Sequence, residues 1–125
     1  MRRRGFTLIE LLVVMAIIAT LLSVALPRYF GSVDRSKEAT LKQSLSVMRD
    51  AIDQFYSDQG RYPDTLGELS ERRYVRSIPV DPVTGSAESW IVVAPPPGPD
   101  VKGAVYDVKS GAEGKAVGGT EFSAF

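Results

Sequence analysis

The chain has 125 residues, 15 Lys and Arg against 15 Asp and Glu, no cysteine and no histidine. That length leaves room for one small domain beside any membrane segment, since a single core usually takes about 100 residues. Lack of cysteine removes disulfides and thiolate sites, lack of histidine removes imidazole bases and Ser-His-Asp triads, and the balanced charge argues against nucleic-acid binding driven by bulk charge.

In chain order, Arg2, Arg3 and Arg4 lead into an apolar run; without them the chain would carry a net charge of −3. Residues 6–26 would make a helix of about 31 Å, close to the thickness of a hydrocarbon core. The arginines favour keeping their end in the cytoplasm and sending the rest of the chain outward. Glu10 is the anomaly, because residues 11–26 carry no charge. A removable secretory signal, with Ser23-Val24-Ala25 as a small-x-small cleavage site, leaves it unexplained. So does a permanent single-pass anchor, because a carboxylate is unfavourable in a membrane. A cut between Gly5 and Phe6 gives it a partner. The new Phe6 amine would lie four residues ahead of Glu10, and residues so spaced on a helix can pair within one chain or between adjacent chains. Glu10 would also lie in the first turn, where the helix dipole favours negative charge.

The stretch Arg4-Gly5-Phe6-Thr7-Leu8-Ile9-Glu10, followed by the uncharged run, resembles the processing and methylation motif of type IV pilins and type II secretion pseudopilins. In that family a membrane aspartyl peptidase cuts after the glycine and methylates the new N-terminus. By position, the resemblance implies a leader over residues 1–5, cleavage between Gly5 and Phe6, N-methylation of Phe6, and a role for Glu10 in assembly. Residues 6–27 become a transmembrane and filament-core helix.

Pro27 predicts a kink or a locally melted turn near residues 20–30, since proline removes a helical hydrogen bond. Residues 28–57 then read as an amphipathic helix continuing into the head. Leu41, Leu45, Met48, Ile52 and Phe55 recur in steps of 4, 3, 4 and 3, an arc of about 80°. Lys42, Arg49, Asp50 and Asp53 face the other way, and Arg49 with Asp53 reads as an i,i+4 ion pair. If helical throughout, residues 6–57 would form a rod of about 78 Å.

Residues 58–125 read as a globular head. Gly60 and Pro63 end the long helix. Residues 64–69 read as a short helix with Thr65 and Glu68 at capping-box spacing, and residues 78–85 as a proline-rich turn. Residues 89–94 and 104–109 are the two credible strands, with a loop between them. An antiparallel sheet of two or three strands is expected against the seam of the long helix. The stretches at 61–63, 74–85 and 106–114 resemble the major pseudopilin, or protein G, branch of the family. That resemblance implies the pilin-like α+β fold, with a long N-terminal helix and a small C-terminal antiparallel sheet.

Members of that branch commonly hold calcium in the C-terminal loop through several aspartates. Here Asp107, Glu113 and Glu121 are the only carboxylates to consider, and a flexible glycine-rich tail is the competing reading. Residues 111–115 are too short in spacing for a phosphate loop, and Pro96 to Pro99 reads as a stiff turn. Arg72, Arg73 and Arg76 around Tyr74 read as a solvated surface and do not by themselves imply nucleic acid. No active site can be built, so the chain reads as a structural protein and not an enzyme.

The resemblance implies a subunit of the bacterial inner membrane, single-pass, with its head in the periplasm. It would assemble into a homo-oligomeric helical filament of a type II secretion system. Its expected partners are minor pseudopilins, an inner-membrane assembly platform and the prepilin peptidase and N-methyltransferase. The alternative is a type IV pilus serving adhesion, twitching or DNA uptake.

Overall fold

One helix dominates the secondary structure. In the computed structural model, which describes residues 4–125, α1 runs over Leu8–Gln59, 52 residues. Two compact units divide the chain, Met1–Val33 and Asp34–Phe125, and α1 contributes to both.

In the first unit the helix begins with a cap. The Glu10 amide donates to the Thr7 side-chain oxygen at 3.1 Å, and the Leu11 amide donates to the Thr7 carbonyl. Thr7 thereby satisfies a donor that a helix start would otherwise leave free. Phe6, the expected start, lies outside the helix, which begins two residues later at Leu8. The helix is uninterrupted through Pro27, so the melted turn expected there is absent. A proline removes one hydrogen bond, and the bonds on either side of it carry a helix of this length across the gap.

The second unit, the head, is organised on the predicted seam. Leu41, Leu45, Met48, Ile52 and Phe55 are all fully buried, joined on the same face by Ser44 and Ala51. They pack in one cluster with Leu69, Val75, Trp90, Val105 and Val108. The helix ends where Gly60 takes a left-handed φ of 69°, its amide donating to the Tyr56 carbonyl.

Helix α2 (Leu66–Glu71) begins two residues later than expected. Its cap is Thr65, whose hydroxyl accepts from the Glu68 amide at 3.3 Å. The Glu68 carboxylate does not return to the cap residue's own amide. It accepts from the Asp64 amide at 3.0 Å and from Arg61 at 2.6 Å. The Arg61 hydrogen bond, then the Asp64 amide, and more weakly the Arg72 charge hold Glu68 below the usual carboxylate range. A folded-state value below the unfolded one contributes stability at neutral pH that is lost as pH falls below about 4.3. Glu68→Gln is therefore expected to melt lower at pH 7 and to lose less on acidification, as measured by thermal melts at pH 7, 4.5 and 3.

The sheet has two antiparallel strands, β1 (Ile91–Val93) and β2 (Asp107–Lys109), with Val92 opposite Val108. Both are shorter than the sequence suggests, β2 for a visible reason. The Ala104 and Val105 amides donate to the Pro63 carbonyl, so these two residues meet the Arg61-Tyr62-Pro63 stretch, and contact with β1 starts only at Tyr106, whose amide donates to Val93. Gly103 makes that crossing possible. Its φ is +98°, and a Cβ there would collide with the Tyr62 carbonyl.

Arg49 departs from its expected partner. It does not pair with Asp53; its Nε donates to Asp107 at 2.8 Å and one terminal nitrogen donates to the Val108 carbonyl at 3.0 Å. The same nitrogen reaches the Phe125 carbonyl at 2.7 Å. A residue on the flank of the seam, half-buried here, meets β2 before it can bend along its own helix toward Asp53.

Beneath the proline-rich turn, Asp81 is fully buried. One carboxylate oxygen accepts from the Val83 and Thr84 amides, and the other accepts from the Ser110 hydroxyl. Ser110 in turn accepts from the Ala112 amide at 3.1 Å. The Asp81 backbone closes the turn as well, donating to Ser86 and accepting from Gly85. One carboxylate thus ties the turn to the segment after β2.

Candidate functional site

The motif residues are exposed. Phe6 is 85% exposed, and Arg4, Gly5, Phe6 and Glu10 line one shallow surface depression. A Cβ on Gly5 would meet nothing within 4 Å, so packing in this chain does not require glycine there. Any demand for a small residue at that position must come from something that grips the backbone, such as a protease. Arg2 and Arg3 of the expected leader lie outside the described residues.

Because Phe6 precedes the Thr7 cap, the helical i,i+4 relation to Glu10 does not hold in the uncut chain. An amine created at Phe6 reaches a Glu10 carboxylate only if the helix extends by a turn or if the carboxylate belongs to a neighbouring chain. Thr7 is the residue that sequence reasoning missed. It sits three residues before Glu10, the same capping-box spacing recognised at Thr65 and Glu68, and that spacing was the available signal.

Behind the motif the helix surface is apolar and uncovered. An 18-residue window of α1 has a mean hydropathy of 2.6 with none of it buried, long and apolar enough to cross a membrane. Thirteen large apolar side chains between residues 8 and 26 stand exposed. A contiguous surface of this kind marks contact with a membrane or with other protein.

The C-terminal carboxylates are not gathered at one point. Asp107 is committed to Arg49, and among the described residues no three acidic side chains gather at one point. The segment that would supply ligands is closed by backbone contacts. Lys115 bridges to Glu121, the Ala116 amide donates to Thr120, and the Phe122 amide donates to Gly114. Glu113 and Glu121 are exposed on that loop. Two members of the basic and aromatic patch are engaged elsewhere. Tyr74 packs on Phe55 with ring centroids 5.3 Å apart and donates its hydroxyl to Asp58, while Arg72 is drawn to Glu68 at 3.5 Å.

A capped, exposed apolar helix joined to a small head with a two-stranded antiparallel sheet is the pilin-like α+β arrangement. Residues 1–26 match the family model described as the prokaryotic N-terminal methylation motif. The chain is 30% identical over 97 residues to the type II secretion system core protein G of Klebsiella pneumoniae, covering 65% of this chain and 69% of that protein. It is 41% identical over 68 residues to the type IV major pilin protein PilA of Myxococcus xanthus, covering 54% of this chain and 31% of that one. It is also 41% identical over 83 residues to the fimbrial protein EcpC of Eikenella corrodens, covering 62% and 54%. The chain thus spans from about a third to about 70% of the length of these relatives. No solved structure matches. The chain belongs to the pilin-like family of pilins and type II secretion pseudopilins.

Proposed function

We propose that this chain is a pseudopilin, the structural subunit of a short periplasmic filament that drives protein export through a type II secretion system. The observation that carries this reading is the reach of the core protein G likeness, which covers 65% of this chain, more than the residues before the head could supply, and so extends into the head. In this reading the precursor sits in the inner membrane through residues 6–27, with residues 28–125 on the periplasmic side. A prepilin peptidase removes residues 1–5 and methylates Phe6. The apolar face then exchanges lipid for the same face of neighbouring subunits, with minor pseudopilins and a membrane platform as partners. Glu10 sets axial register by pairing with the Phe6 amine of a neighbour.

Exposure supports the cut site, because a peptidase must reach an extended backbone and residues 4–7 are outside the helix. Intact mass of the membrane-extracted protein tests the reading. The expected species begins at Phe6 and carries one methyl group, whereas a chain beginning near Leu26 would overturn it in favour of an ordinary signal. A second reading is a type IV pilus subunit, favoured by the 41% identities to PilA and EcpC. A deletion strain separates the two: loss of exported hydrolases supports secretion, and loss of surface pili with secretion intact supports the pilus.

A further inference from the structure

The far end of the Met1–Val33 unit carries a cluster that the proposed function leaves unused. Arg28, Tyr29 and Phe30 follow the apolar run directly after Pro27. Tyr29 is 63% exposed and Phe30 60%, and their rings meet edge to face at 5.8 Å. Arg28 is exposed and makes no ion pair among the described residues. A tyrosine beside a long cationic side chain suits the boundary between lipid tails and headgroups, where each can place its polar end in water while the Phe30 ring stays on the apolar side. Their position along the helix fits that boundary too. From Glu10 to Tyr29 is nineteen residues of uninterrupted helix, about 28 Å against a hydrocarbon core of about 30 Å. When the aromatic pair sits at one face of the bilayer, Glu10 therefore sits at the other.

We infer that Arg28, Tyr29 and Phe30 form a lipid-interface anchor whose partner is the phosphate and glycerol layer of the phospholipids on the head side of the bilayer. The inference rests on the reading that residues 6–27 span a membrane. The Arg28 guanidinium is complementary in charge to lipid phosphate and can bind it through two parallel hydrogen bonds. Its consequence lies at the opposite end. An apolar stretch over residues 6–26 alone centres on residue 16, and one that includes Tyr29 and Phe30 centres on residue 18. Those two residues are about 3 Å of helix, the distance by which the anchor draws Glu10 out of the hydrocarbon. A subunit held this way carries its docking carboxylate nearer the surface where processing takes place.

The absence of native cysteine makes the test clean, because each introduced cysteine carries the only nitroxide label. The full chain is placed in vesicles of phosphatidylethanolamine and phosphatidylglycerol, labelled at Ile17→Cys or Ser32→Cys. Depth is read from the relative accessibility to oxygen and to a nickel chelate. The expected result is an Ile17 label in mid-bilayer and a Ser32 label in the headgroup layer, the latter moving outward by about 3 Å when Tyr29→Ser and Phe30→Ser are added. A Ser32 label at the same or greater depth in that background overturns the anchor. An Ile17 label outside the hydrocarbon overturns the spanning reading itself.

Discussion

Glu10→Ala is expected to leave cleavage and methylation intact and to abolish filaments. The reason lies in what the apolar helix cannot do. Lipid tails are as apolar as leucine, so moving the exposed side chains of residues 8–26 from bilayer to filament gains little hydrophobic free energy. That surface keeps the helix out of water in both states without favouring either one. In the proposed reading, a polar pair formed only in the filament supplies the difference. Removing one partner of a desolvated ion pair costs about 3–5 kcal/mol, which is about two to four decades in subunit association. The helix start survives the substitution, because Thr7 caps through the backbone amide of residue 10 and not through its carboxylate. Sedimentation of membrane-extracted filaments and the mass of the remaining monomer check both halves. Normal filaments from the variant would remove Glu10 from the mechanism.

The head should be most sensitive at Asp81. Asp81→Ala removes the acceptor of the fully buried Ser110 hydroxyl and of the part-buried Val83 and Thr84 amides. Each buried donor left without a partner costs about 1–3 kcal/mol, and relaxation of the hydroxyl brings the expected total to about 2–4 kcal/mol. For a unit of this size that is a fall in melting temperature of roughly 10–25 °C. Circular dichroism of the full chain in detergent, followed through the melt, measures it. Asp81→Asn keeps one acceptor for the two amides and should lose less than half as much. A melt unchanged in Asp81→Ala would show that water replaces the carboxylate.

The sequence exposed some of these features and hid others, according to how far apart the interacting groups lie. The seam from Leu41 to Phe55 was legible because helical periodicity is a local property, and all five residues are buried as expected. The motif around Glu10 was legible because its apolar surroundings make a single carboxylate conspicuous. Asp81 was not, since an aspartate in a proline-rich turn looks like ordinary turn chemistry until Ser110, 29 residues later, packs against it. Arg49 misled for the same reason. A charge pair four residues apart is visible in the sequence, whereas Asp107 lies 58 residues away and wins on geometry. Strand ends were overestimated where the Pro63 carbonyl competes for the same amides. That Asp107 is held by Arg49 was hidden as well, because composition alone does not say which carboxylates a neighbouring guanidinium has taken.

The Arg49 clasp also has a temporal meaning. Its acceptors lie 58, 59 and 76 residues further along the chain, so none of its hydrogen bonds can form early. Contacts of such long sequence separation are closed late in folding, after the entropy of a large loop has been overcome. If the head crosses a membrane behind its helix, the guanidinium stays unsatisfied until the last of these residues has been delivered. Closing the clasp then distinguishes a fully translocated head from one still in transit.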